Sequence, residues 1–252
     1  MVSAFATYPS LAVKNVFITG GATGIGASLV THFAAQGARV GFIDIDDAAA
    51  GPLVASLSGN VTYAHCDVRD IAALKAAIAA FETEAGHVDV LINNAARDDR
   101  HAVDDIDVAY WDDRLNINLR PHFFAAQAVR AGMARAGGGS IINFGSVVVQ
   151  MAAGNMAGYV TAKAGVQGLT RALARDFGKE RIRVNCLVPG WVITERQKAL
   201  YWTETSERAI AEKQCIPDPL EPADLARMAL FLAADDSRHC TAQSFIVDGG
   251  WE

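Results

Sequence analysis

Short apolar runs and helical stripes alternate along the chain. Residues 15–19, Asn-Val-Phe-Ile-Thr, make a compact apolar run, and Ile25, Leu29 and Phe33 follow at a spacing of four. Such a run reads as a buried strand, and a spacing of four puts side chains on one helical face. Strand then helix is the expectation, with Gly37 as the stop. Further runs at 38–43, 61–65, 88–92, 140–144, 182–188 and 245–247 predict more strands. Between them lie stripes at Ile71, Leu74, Ile78 and Phe81, at Val166, Leu169, Leu173 and Phe177, and at Leu225, Met228 and Leu232 behind Pro222. Each reads as an amphipathic helix, the last begun by its proline. Tyr110, Leu115, Ile117, Leu119, Phe123 and Val129 predict one long helix, with Asn118 and Pro121 inside it and a kink at the proline. A buried amide at a kink can hold a water; a kink can also be mere packing. Asp104, Asp105 and Asp107 ahead of that helix favour its positive end.

Strands alternating with helices predict an α/β fold, a doubly wound parallel sheet of the Rossmann kind. At 252 residues and 51% hydrophobic content, a single domain over 1–252 is expected. Residues 191–216 mix aromatics, charges and threonines without sustained periodicity, which suggests a flap over a site within that domain.

Composition narrows the partners. A net charge of −6 leaves no basic face for a phosphate backbone, so nucleic acid is not an expected partner. Residues 137–162 carry no charge, but their glycines, asparagines and glutamine argue for strand, loop and helix start rather than a membrane span. The amino terminus shows no basic region followed by an apolar core, so no secretory signal is expected. Cys66, Cys186, Cys215 and Cys240 form no CxxC pair and read as buried free thiols of a reducing compartment, hence a cytoplasmic protein. The six histidines show no ligand spacing, and no metal is expected.

The chemistry sits at the strand ends. Gly20-Gly-Ala-Thr-Gly24-Ile-Gly26 falls between a predicted strand and a predicted helix. In that context a glycine turn lets the main chain approach a pyrophosphate seated on the helix amino terminus. Asp44 ends the next strand, about 20 residues beyond the loop, where a ribose-binding carboxylate is expected. No Arg or Lys lies in the loop or directly after Asp44 to offset repulsion of a 2′-phosphate, so NAD is expected over NADP. A solvated turn of Asp44, Asp46 and Asp47 is the plainer alternative. Asp67 is placed to meet an adenine or, equally, to cap the following helix. Tyr159 and Lys163 are one helical turn apart, and an ammonium beside a phenol favours the phenolate, a general base. Ser146 closes the strand ahead of them.

Thr19-Gly20-x-x-x-Gly24-x-Gly26, Asp67, Asn93-Asn-Ala, Asn118, Ser146, Tyr159-x-x-x-Lys163 and Pro189-Gly190 occur in one order and spacing. With them the chain resembles the short-chain dehydrogenase/reductases from end to end. The resemblance implies a homotetrameric or dimeric NAD(P)-dependent oxidoreductase. Tyr159 is then the acid/base, Ser146 orients the reacting oxygen, Lys163 holds the ribose and lowers the tyrosine pKa, and Asn118 positions a proton-relay water. Gly20, Thr23, Gly24, Ile25, Gly26, Asp44, Asp67, Val68, Asn94, Ala95, Pro189, Val192 and Thr194 are the implied cofactor contacts. Ala96 stands where the family more often has Gly, narrowing the pocket floor.

Asp98-Asp-Arg-His101, Asn116-Ile-Asn-Leu-Arg120, Asn143-Phe-Gly-Ser146 and a flap with Arg196-Gln197 and Tyr201-Trp202 are similar to bacterial NAD-dependent sugar 1-dehydrogenases acting on xylose, arabinose or galactose. That likeness implies oxidation of an aldose to its aldonolactone. A polyol needs fixed donors and acceptors, for which Asp98, Arg100, Gln150, Trp191 and Gln197 are candidates beside Ser146 and Tyr159. An internally paired surface turn is the plainer reading of residues 98–101. Other substrates on the same machinery are a keto-deoxy sugar acid, a secondary alcohol or a 3-oxoacyl thioester. A non-catalytic NAD sensor is a further alternative.

Overall fold

A computed structural model describes residues 5–57, 60–151 and 153–251. The stretch read for a secretory signal lies partly outside them. Seven strands alternate with nine α-helices among the described residues: β1 (Asn15–Thr19), α1 (Gly24–Ala35), β2 (Arg39–Asp44), α2 (Asp47–Ser56), β3 (Val61–His65), α3 (Ile71–Ala85), β4 (Val90–Asn93), α4 (Val108–Asn118), α5 (Arg120–Arg135), β5 (Gly139–Phe144), α6 (Ala157–Phe177), β6 (Ile182–Pro189), α7 (Glu195–Tyr201), α8 (Glu204–Lys213), α9 (Pro222–Ala233) and β7 (Ser244–Val247). All strand pairs are parallel, in the order β3-β2-β1-β4-β5-β6-β7. Strand order therefore reverses between β1 and β4, and the crevice beyond that point is where an open α/β sheet binds ligands.

Each face of the sheet has its own core. Alternate β1 side chains go to opposite sides: Val16 and Ile18 join Leu29, Phe33, Leu225 and Leu230 of α1 and α9, while Phe17 joins Leu74, Ile78 and Phe81 of α3. Helix cover on both faces explains why the central strands are continuous apolar runs rather than alternating ones. Edge strand β3 is covered less, and its pattern is mostly exposed.

Three expectations change. The long helix is two helices, because Leu119 leaves helical torsions at φ −133 and ψ −54. Pro121 lies in the first turn of α5, where a missing N–H removes no helical bond, so it starts a helix rather than kinking one. Asp107 caps α4 by accepting from Tyr110 N at 2.7 Å. The 191–216 segment contains α7 and α8, each opened by a threonine cap, Thr194 and Thr203. Both helices are mostly exposed, Ile210 being the buried position of α8, so they lack an apolar stripe. Finally, Cys66 and Cys186 are buried but Cys240 is half-buried and Cys215 is exposed. Burial pushes the Cys66 and Cys186 thiols up to about 11, which suppresses the reactive thiolate. A thiol reagent at neutral pH is expected to label Cys215 first and to reach Cys66 and Cys186 only on unfolding; mass mapping of the labelled peptides checks this.

Candidate active site

A cavity of about 630 Å³ opens beyond the carboxyl ends of the strands. One wall is the glycine loop. Gly20 and Gly21 donate main-chain N–H groups to Ile43 O at 2.8 and 3.1 Å. Asn94 Nδ2 donates to Gly20 O at 2.8 Å, and the Thr19 hydroxyl accepts from the N–H groups of Asn94 and Ala95. Gly20 sits at φ +69, and a Cβ there would come 2.8 Å from Ala95 Cα. The loop is thus clamped between β2 and the Asn-Asn-Ala turn. Thr23 precedes α1 without capping it, so the first amides of α1 beside the cavity keep their donors for an anion.

Asp44 also lines the cavity. Its Oδ2 accepts from Ala22 N at 2.9 Å and its Oδ1 from Ile45 N at 2.7 Å, which fixes the carboxylate while leaving lone pairs for hydroxyl donors. The solvated-turn reading suits its neighbours instead: Asp46 caps α2, and Asp47 accepts from Tyr63 and contacts His65. Asp67 and Val68 line the cavity as well. The cap of α3 is Asp70, through Ala73 N at 3.0 Å, while Asp67 is held by Arg69, whose bonds keep its carboxyl below the usual range.

Ser146, Tyr159 and Lys163 converge on the same space. Ser146 follows β5 at the start of the short turn Val147–Val149, and its hydroxyl acts on the Tyr159 phenol to favour the phenolate. Lys163 is 1% exposed, donates to Phe144 O at 2.7 Å, and holds Nζ 5.6 Å from the Tyr159 ring centroid. Burial drives the lysine down to about 8, with Cys186 and Asp98 partly opposing. Burial also drives the phenol above its ordinary 10, reinforced by Asp98 and opposed by the Ser146 hydroxyl and Arg196. Part of the Tyr159 side chain faces the open cavity, so solvent moderates that rise. The ammonium meets the ring face and a carbonyl, so in this structure it is not the charge that sets the phenol's pKa. A base of this kind works only when deprotonated. Oxidation is therefore expected to speed up with pH, about tenfold per pH unit while one proton is being lost, and the reverse reduction to slow at alkaline pH. Initial rates in both directions between about pH 6 and pH 10 check the sign.

The remaining predicted residues divide. Asp98, Arg100, Trp191 and Gln197 line the cavity together with Ile25, Gly26, Asn94, Ala95, Ala96, Pro189, Val192 and Thr194. Gln197 Nε2 donates to Asp98 Oδ2 at 2.7 Å, and Trp191 Nε1 donates to Gln197 Oε1 at 3.1 Å. Arg100 stacks 4.2 Å over the Tyr201 ring. The 98–101 loop is thus paired across to the flap rather than within itself. Gln150 is a correction: it ends the Val147–Val149 turn and is exposed, and Met151 lines the cavity instead. Gly24 backs onto Thr194 rather than lining the space, at φ +53. Asn118 is buried behind it: its Oδ1 accepts from Arg97 N at 2.8 Å and its Nδ2 donates to Arg97 O and Arg114 O. Its side chain is committed to holding the 97 backbone. Arg196 and Trp251, which are not among the predicted substrate contacts, also line the cavity, and Asp99 does not. No group of His, Cys, Asp and Glu suited to a metal occurs among the described residues, and no helix there is long and apolar enough to cross a membrane.

A dinucleotide fits this donor set: free helix amides at a clamped loop, a fixed carboxylate at the end of β2, and a Ser-Tyr-Lys group across the crevice. The chain belongs to the short-chain dehydrogenase/reductase family, oxidoreductases of CH–OH groups that use a nicotinamide cofactor. The family model it matches, over residues 20–252, is described as enoyl-(acyl carrier protein) reductase. It is 47% identical over 249 residues to D-xylose 1-dehydrogenase of Caulobacter vibrioides, covering 98% of each chain. It is 44% identical over 247 residues to a Rhizobium meliloti protein named "Probable galactose dehydrogenase GalD", covering 96% of each. A solved 7α-hydroxysteroid dehydrogenase complexed with NADH and 7-oxo glycochenodeoxycholic acid superposes with a TM-score of 0.91 at 30% identity, covering 96% of each chain.

Proposed function

We propose that this protein oxidises an aldose at C1 with NAD, giving the aldonolactone. The observation that carries the reading is near-full-length similarity to two proteins named for aldose substrates. The row Trp191–Gln197–Asp98 supports it, because fixed donors and acceptors along one wall suit a ring of hydroxyls. Ser146 hydrogen bonds the anomeric oxygen, and Tyr159 takes its proton. The glycine loop and Asp44 would hold a dinucleotide whose nicotinamide would supply a hydride acceptor for C1, and loss of that hydride with the proton leaves the C=O of the lactone. Lys163 holds the ribose, while Asn118 acts by fixing the backbone of residue 97.

Asp44 supports NAD over NADP, since its carboxylate suits ribose hydroxyls and repels a 2′-phosphate. Asp44→Ala is expected to cut the preference for NAD over NADP by about tenfold or more, read as the ratio of kcat/KM values. Self-association fits the exposed Val108, Phe123 and Ile246, and a homotetramer is the expected state by light scattering. The free thiols fit a cytoplasmic enzyme.

Acidic substrates are disfavoured because the flap's Arg196 is already paired with Asp98 and Asp99. The deciding assay follows reduced nicotinamide across aldoses, sugar acids and simple alcohols. Activity on a few aldoses is expected. Activity on acids or alcohols alone would move the substrate, and cofactor binding without any turnover would make the protein a sensor.

A further inference from the structure

Asp99 does not line the cavity, yet three guanidinium groups from three elements meet on its carboxylate. Oδ2 accepts from Arg114 at 2.6 Å and lies 3.0 Å from Arg97 Nε, and Oδ1 accepts from Arg196 at 2.9 Å. Arg97 belongs to the loop after β4, Arg114 to α4 and Arg196 to α7. Arg114 is a firm anchor: its side chain is 6% exposed, and its stem fills the space where a Cβ on Gly158 would come within 3.1 Å, in the first turn of α6 beside Tyr159. Its carbonyl also receives Asn118 Nδ2 at 3.0 Å.

From Arg196 the connection continues into the cavity. Its other terminal nitrogen bonds Asp98, whose second oxygen accepts from Gln197, whose amide oxygen accepts from Trp191. Helix α7, which carries Arg196 and Gln197, has only seven residues, and none of them is buried. Apolar packing therefore cannot hold it in place. Charge-assisted bonds to a carboxylate that is itself anchored on a buried arginine can, where an isolated exposed pair would contribute little. Both Asp98 and Arg196 also act electrostatically on the Tyr159 phenol, so the end of this chain of contacts reaches the catalytic group.

We propose that Asp99 is a positioning residue that ties α7 to α4, and thereby sets Asp98, Gln197 and Trp191 against the substrate without touching it. The kinetic part of the test rests on the aldose reading; the exchange part does not. In Asp99→Asn, KM for the best aldose of the panel is expected to rise roughly tenfold while kcat moves by less than about threefold and the NADH dissociation constant stays put. Amide exchange across Glu195–Tyr201, measured without substrate, is expected to quicken by about tenfold. Adding Asp99→Asn to Arg196→Gln is expected to cost no more than Arg196→Gln alone, since the arginine change already removes the Asp99 link together with the bond to Asp98.

Unchanged KM together with unchanged exchange overturns the proposal, and so do strictly additive effects or a loss confined to kcat and cofactor affinity. A wild type silent on every aldose refutes the substrate reading alone, and the exchange experiment then decides Asp99. Should Asp99→Asn fail to fold, Asp99→Glu carries the same tests, because it keeps a carboxylate for Arg114 while shifting it by one methylene from its place against Arg196.

Discussion

Tyr159→Phe is expected to lower turnover by about 10² to 10⁴, the range that a positioned general base contributes. The substitution removes one oxygen and keeps the ring. Lys163 retains its bond to Phe144 O, and the cavity wall keeps its shape, so neither the fold nor the cofactor side of the cavity depends on that hydroxyl. What is lost is the acceptor that Ser146 orients. NADH affinity, followed by fluorescence titration, is expected to change by less than about threefold, which separates a catalytic loss from a binding one. Substantial turnover in the variant would place proton acceptance elsewhere. Lys163 is the group to suspect then, since burial already brings it down to about 8, and the surviving rate would titrate near that value.

The parts of this site legible in the sequence are those whose signal is local. Tyr159 and Lys163 share one helical turn, Ser146 ends an apolar run, and the glycine loop lies between a strand and a helix, so periodicity alone places them at strand ends and helix starts. Pro121 misled for the same reason: α4 and α5 bury stripes that run on in register, and the stripe does not reveal that Leu119 leaves helical torsions between them. Exposed helices α7 and α8 carry no stripe, although the capping threonines Thr194 and Thr203 were a signal that could have found them. Gln150 has the polar side chain a polyol site needs, but it ends the Val147–Val149 turn and is exposed, which its residue type does not reveal. Asp99 and Arg196 are 97 positions apart, and only the assembled sheet brings them together. Chemistry carried by one turn of backbone was readable, and chemistry that depends on long-range pairing was not.

Gly26→Ala is expected to abolish measurable cofactor binding, weakening NADH affinity by about 10² or more, and to lower the melting temperature by several degrees. A Cβ at Gly26 would overlap the Gly20 carbonyl oxygen and come 2.8 Å from the Gly20 carbonyl carbon and 3.0 Å from Asn94 Nδ2. Neither side can yield easily. Gly20 is fixed by its N–H to Ile43 O and by Asn94 on its oxygen, and its own approach to Ala95 leaves no room behind it. On the other side α1 is seated by Leu29, Val30 and Phe33, all fully buried. Overpacking of this kind costs about 1–3 kcal/mol, and the cheapest relief is to push the loop out of the shape that aims its amides at the cavity. Gly51→Ala is the control: on α2 nothing lies within 4 Å of its added methyl, so helix propensity alone acts and stability is expected to hold or rise by up to about 1 kcal/mol. NADH titration and thermal unfolding on both variants separate the two effects. Unaltered NADH affinity in Gly26→Ala would remove the glycine loop from the cofactor site, and with it the reason for reading Asp44, at the end of the neighbouring strand, as the group that selects the ribose.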